Sequence, residues 1–199
     1  MSGNTKERIL EVALDMFSQY GYAGTNLREI AAELGITKAA LYKHYKSKED
    51  IWNSTMDVFD DYYKKNALKS GKEMKIPSTL EEFKAQEKTV IKVIMTNPMI
   101  RKGRRLLTIE QFRDEKTAAT ATNRFITTNV ERLKLIFAPM IKNGLLIDTD
   151  IDMLALAYTT PISALIQMCD REPRKQELTL KRAEEFVDYF ISIYGIKRT

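Results

Sequence analysis

Cysteine, histidine and tryptophan each occur once in 199 residues, and there are only five prolines and eight glycines. The lone Cys169 excludes an internal disulfide framework and fits a reducing compartment. One cysteine and one distant histidine do not make a zinc ligand set, so neither a metal nor a cofactor is expected. A Ser-His-Asp arrangement would have to use His44, and no glycine-rich phosphate loop follows a strand pattern; the residues therefore point away from an enzyme. No stretch approaches the ~20 apolar residues of a membrane span. Lys6, Glu7 and Arg8 lead directly into helical periodicity with no apolar leader, so the expected location is the cytoplasm, without a membrane partner. Sustained strand alternation is absent.

What is present is helix. Hydrophobic residues make up 44% of the chain, enough for a core. Asn4 or Thr5 caps a first segment with Ile9, Val12, Ala13, Met16, Phe17 and Tyr20 on one face, ended by Gly21 and Gly24. Asn26 with Glu29 forms a capping box for a short helix to Leu34. Gly35-Ile36 turns the chain, and Thr37 caps Lys38–His44. Ser47 with Asp50 caps a long fourth helix reaching Leu68. Composition breaks over residues 71–77. Ser78 or Thr79 starts the next helix, which Asn97-Pro98 stops, and Gly103 interrupts the segment after it. Further helices are expected over about 123–143, ending at Gly144 with a bend at Pro139, then from Thr149 through Met168, and from about 176 to 194.

Charge points to one region. The net charge is only +5, but Gly35–Ser47 holds no acidic residue while carrying Lys38, Lys43, Lys46 and His44. A helix this short survives only by packing, through Leu41 with Ala40 or Tyr45. That leaves Lys38, Ala39, Lys43 and part of Tyr42 outward, in the manner of a helix entering the DNA major groove. Ala39 suits close approach and a thymine methyl; Lys38 reaches guanine or a phosphate. Tyr42 either completes the small core or grips a phosphate, and His44 either grips a phosphate or steadies its own helix end. Lys48 opens the fourth helix, where free N–H groups favour an anion. Arg28, in the first turn of the supporting helix, reaches a phosphate or a base edge. With the Thr37 cap, the expected DNA-binding set is Arg28, Thr37, Lys38, Ala39, Tyr42, Lys43, His44 and Lys48.

The segment resembles the N-terminal domain of the TetR family of bacterial transcriptional regulators. The resemblance covers roughly residues 6–55 and rests on Phe17, Gly21, Thr25, Ile30, Ala31, Gly35, Ile36, Thr37, Ala39, Leu41, Tyr42, His44, Tyr45, Ser47, Lys48, Glu49 and Ile51, in order and ungapped. Asn26 stands where that family often has Thr or Ser, and Tyr45 where it usually has Phe. The resemblance implies an all-α fold: a three-helix head with a helix-turn-helix at 1–48, joined by the long fourth helix to a helical ligand-binding and dimerisation domain at 49–199. It implies a homodimer, usually a repressor, that leaves a double-stranded operator of dyad symmetry when a small-molecule inducer binds.

The C-terminal part is rich in soft and aromatic residues. A partly apolar ligand is expected among Phe59, Tyr62, Tyr63, Met95, Met99 and Phe125, with Glu110 and Gln111 as polar contacts. The apolar helices at about 150–169 and 176–194 are the expected dimer interface, through Leu154, Ala157, Ile162, Leu165, Phe186 and Phe190, the helix around 123–143 being the alternative. The run Arg101, Lys102, Arg104 and Arg105 reads as a solvated turn. Two other readings fit the residues: a DNA-binding regulator without a small-molecule site, and a dimeric adaptor that binds protein.

Overall fold

The computed structural model describes residues 5–66 and 75–196, and these form ten α-helices. They are α1 (Thr5–Gly24), α2 (Leu27–Glu33), α3 (Lys38–Tyr42), α4 (Lys48–Asn66), α5 (Leu80–Thr96), α6 (Pro98–Glu110), α7 (Glu115–Thr122), α8 (Thr128–Lys142), α9 (Ile151–Arg171) and α10 (Gln176–Tyr194). The only pairing of extended backbone among them is a single antiparallel bridge, Leu146 to Gly195. Asn4, Leu68 and residues 71–74 lie outside the described residues.

The described residues of Met1–Lys65 and Pro98–Ala118 pack as one compact unit, and those of Asn66–Asn97 and Ala119–Thr199 as another. This division by packing differs from the expected division by role at 48/49, because α4 and α6 both bury side chains in the first unit. The core of that unit joins Ile9, Ala13 and Phe17 of α1, Ile30 of α2, Leu41 of α3, Ile51 and Trp52 of α4 and Leu106 of α6. In the second unit an aromatic cluster ties four helices together. Phe137 stacks on Phe190 with centroids 5.7 Å apart, and Tyr158 meets Phe190 edge-on at 4.9 Å and Phe83 at 5.9 Å.

Several boundaries depart from expectation, each for a local reason. Gly21 kinks α1 (φ 70°) and the helix resumes to Gly24. Pro98 opens α6 rather than merely stopping α5, a position where its missing N–H costs nothing. Gly103 lies inside α6, where a Cβ would stand 2.1 Å from the Phe59 ring; the glycine is a packing notch. The cap of α9 is Asp150, one residue past Thr149, accepting from the N–H groups of Asp152 and Met153 at 2.9 and 3.0 Å. Pro139 and Pro161 sit within α8 and α9. Helix α7 had no sequence signal, since its Ala/Thr-rich stretch carries no apolar stripe. It runs through a π turn, Asn123–Thr127, into α8. Gly144 (φ 66°) does end α8, with Gly144 N–H bonded to Ile141 O and Leu145 N–H to Met140 O, both 2.9 Å.

By length and composition α9 is also long and apolar enough to cross a membrane, contrary to the sequence expectation. Its Leu154, Ala155, Tyr158, Ile162, Ile166 and Cys169 are buried within the second unit, the pattern of a core helix.

Candidate nucleic-acid interface

The turn between α2 and α3 is built by backbone chemistry. Leu34 ends α2, Gly35 takes φ 66°, and Ile36 N–H reaches back to Ala31 O at 2.9 Å while Gly35 N–H bonds Ala32 O at 3.0 Å. This 6→1 and 5→2 closure needs a left-handed residue at its centre, which glycine supplies cheaply. Asn26 Oδ1 accepts from Arg28 N–H at 2.9 Å, and Thr37 Oγ1 accepts from Ala40 N–H at 3.1 Å. Thr37 is therefore the cap of α3 and stands at its exposed start.

Leu41 and Tyr45 pin α3 down and are fully or almost fully buried. The Tyr45 hydroxyl donates to Lys6 O at 3.3 Å, tying the end of the motif to the first turn of α1. Burial, with Asp50 nearby, pushes that phenol up to about 12. With α3 held this way, Arg28, Thr37, Lys38, Ala39, Tyr42, Lys43 and His44 are all exposed. Tyr42 is thus outward and not part of the core, with Lys38 Nζ 5.5 Å from its ring centroid. A row of cations, hydroxyls and one small side chain on a short, firmly seated helix suits contact with phosphates and base edges.

Lys48 differs from the others. It begins α4, is half-buried, and its Nζ sits 4.4 Å from the Tyr22 ring centroid. Burial lowers its pKa, opposed by Glu110. Beneath it lies a contact set that sequence reasoning missed. The Arg113 guanidinium stacks 4.3 Å from Trp52 and 4.4 Å from Tyr22, and meets Glu49 at 3.5 Å and Asp114 at 3.0 Å. Glu110 Oε1 accepts the Tyr22 N–H at 2.7 Å. The end of α6 therefore braces the kink of α1 and the start of α4. The tryptophan gave a sequence signal, being the single one in the chain; its partners gave none.

Residues 9–54 match the family model described as bacterial regulatory proteins, tetR family. Over 54 residues the chain is 43% identical to the HTH-type transcriptional regulator AcrR of Shigella flexneri. The chain belongs to the tetR family of bacterial regulatory proteins. The AcrR alignment takes in 27% of this chain and 25% of that protein, so it concerns the head alone. The whole fold is shared more widely. SmeT, the repressor of the Stenotrophomonas maltophilia multidrug efflux pump SmeDEF, superposes with a TM-score of 0.69 at 19% identity, over 98% of this chain and 92% of SmeT. AibR, solved with isovaleryl coenzyme A and operator DNA, superposes with a TM-score of 0.65 at 20% identity, over 92% of this chain and 97% of AibR.

In this tetR-family chain the expected ligand residues do not gather in one place. Phe59, Tyr62, Tyr63, Met99, Glu110 and Gln111 belong to the first unit, Met95 and Phe125 to the second. Phe59 fills the notch at Gly103, Met99 packs on the head core, and Glu110 is bonded to Tyr22. Gln111 Nε2 donates to Thr108 O at 2.9 Å. Met95 is fully buried, and Phe125 O accepts from Ser163 Oγ at 3.0 Å. The expected dimer residues also divide. Leu154, Ile162 and Phe190 are buried in their own unit, Leu165 and Phe186 are half-buried, and Ala157 is exposed. The apolar side chains left outward on these helices are Met153, Leu156 and Met168 of α9 and Leu178, Tyr189 and Ile193 of α10. The basic run on α6 is no solvated turn: Arg104 is buried and Lys102 pairs with Asp15.

Proposed function

We propose that this protein is a sequence-specific DNA-binding regulator of transcription, a homodimeric repressor that a small molecule releases from an operator of dyad symmetry. The observation that carries the reading is the seated α3, with Lys38, Ala39, Tyr42 and Lys43 all exposed on an acid-free segment. Family membership and the fold shared with SmeT and AibR support it. Residues 1–48 act as the reading head and 49–199 as the regulatory part.

In this reading Lys38 and Ala39 meet base edges in the major groove, Arg28 meets a base or phosphate, and Tyr42, Lys43, His44 and Lys48 hold the backbone. Thr37 orients the helix and adds its own exposed N–H groups. Dimerisation uses the outward faces of α9 and α10, around Ala157, Leu156, Tyr189 and Ile193, which would form a four-helix interface with a second copy. A homodimer presents two α3 helices about one or more DNA turns apart, roughly 34–36 Å in the simplest case. The expected location is the cytoplasm, where the DNA is.

The test is a salt titration of binding to duplex DNA. Phosphate contacts release counterions, so log K should fall linearly with log salt at a slope near −0.9 per contact. A salt-independent interaction, or none with DNA, would favour a protein-binding adaptor.

A further inference from the structure

The second unit contains a cleft between α5, α8 and α9, with a volume of about 20 Å³. Its walls are aliphatic, chiefly Ile91, Ile94, Ile162 and Ile166. Its floor is polar. Glu87, 2% exposed, is held by Arg132 through two bonds, Nη1 to Oε1 at 2.7 Å and Nη2 to Oε2 at 2.8 Å. Two further buried groups line the same space, the Tyr158 hydroxyl and Thr159 Oγ1, and neither has a hydrogen-bond partner. Buried hydroxyls in proteins are normally satisfied, so two orphans side by side in one cleft need a partner from outside the chain.

We infer that this cleft is the effector site, and that it takes a small uncharged molecule with one hydrogen-bonding oxygen on a short aliphatic body. The inference rests on the regulator reading above and narrows it to a ligand class. The walls exclude a strongly polar body, and the volume excludes a large one without rearrangement. The ion pair decides the charge. Arg132 and Glu87 neutralise one another, and an anionic ligand recruiting Arg132 would strand the Glu87 carboxylate. A cation recruiting Glu87 would strand the guanidinium. An unpaired buried charge is among the costliest arrangements in a protein. A neutral oxygen, by contrast, accepts from Tyr158 and Thr159 and leaves the pair intact. Burial beside Glu87 holds the Tyr158 phenol protonated, its pKa well above 10.0, so it remains a donor at any physiological pH. The π turn contributes as well: Ser163, on the cleft's rim, is anchored to Phe125 O within that turn. A ligand pressing on Ser163 therefore presses on the join of α7 and α8.

The experiment is a titration of the full-length protein, ¹³C-methyl-labelled at isoleucine, with cyclopentanol, cyclopentanecarboxylate and cyclopentylammonium in turn. Saturable shifts confined to the methyls of Ile91, Ile94, Ile162 and Ile166 are expected with the alcohol, with at least tenfold weaker binding of both ions. Tyr158→Phe and Thr159→Val, which keep the shape, should each weaken the alcohol roughly tenfold while leaving a dispersed methyl spectrum. Tighter binding of either ion, or no saturable shift with any probe, would overturn the inference. The titration contains no DNA, so it is separate from the regulator reading. If the protein proves not to bind DNA at all, that reading fails even where the cleft binds the alcohol.

Discussion

Glu110 Oε1 accepts the backbone N–H of Tyr22 at 2.7 Å, across 88 residues of sequence. The contact exists because Gly21 has no side chain: a Cβ there would lie 2.6 Å from the same oxygen, at φ +70°. Gly35 shares the positive φ, but nothing lies within 4 Å of its missing Cβ. Gly21→Ala therefore suffers backbone strain and a displaced carboxylate, and Gly35→Ala the strain alone. Urea denaturation should show about 1–2 kcal/mol lost for Gly35→Ala and roughly 1–3 kcal/mol more for Gly21→Ala. Equal losses would mean the Glu110 contact adds nothing.

The notch at Gly103 predicts an overpacking defect. Gly103→Ala drives a methyl into the Phe59 ring and should cost about 1–3 kcal/mol. Phe59→Leu in the same chain should recover part of that loss, a non-additivity readable in a double-mutant cycle. Strict additivity would place the two side chains apart.

The Glu87–Arg132 pair predicts an asymmetry. Arg132→Met alone strands a buried carboxylate and should destabilise by roughly 3–5 kcal/mol, whereas Glu87→Met with Arg132→Met should be close to neutral. Thermal unfolding of the three proteins checks it.

One pH effect has a definite sign. At the start of α5 the Ser78 N–H, then the Ser78 hydroxyl and Lys75, hold Glu82 down from 4.5 to about 2. A folded pKa below the unfolded one contributes stability that is present above 4.5 and lost as pH falls toward about 2. Carboxyl NMR should find Glu82 titrating near 2, and Ser78→Ala should raise it.

Much of this was written in the residue order. The helix-turn-helix was legible because it is a local object: Asn26, Gly35, Thr37 and Leu41 act within a few residues of one another, and cap, turn and core spacing are fixed by helix geometry. Gly144 and the Ser47 cap were legible for the same reason, with Asp50 N–H bonded to Ser47 Oγ at 3.0 Å. What escaped was long-range. Arg113 lies 61 positions from Trp52 (113 − 52) and Glu87 lies 45 from Arg132, and no periodicity links such pairs. The same holds for the aromatic residues of the C-terminal part. Phe186 and Phe190 looked like an outward stripe, yet Tyr158 and Phe137 meet Phe190 inside the unit and leave Tyr189 and Ile193 outside.

Within the reading head, mutations should separate positioning from reading. Lys48→Ala should weaken all DNA sequences about equally and lower the salt slope by roughly one unit. Lys38→Ala or Arg28→Ala should change base preference, at about 1–3 kcal/mol for each affected position. Unchanged profiles for both would put the reading surface elsewhere.

The central claim is that an exposed α3, carried by a homodimer, reads DNA sequence. Selection of duplex fragments from a random pool by the purified full-length protein tests it most directly. The account predicts enrichment of one motif with dyad symmetry, its half-sites one or a few helical turns apart, and loss of that enrichment in Lys38→Ala. A pool that emerges with no sequence preference, or with a motif lacking the dyad, would contradict it.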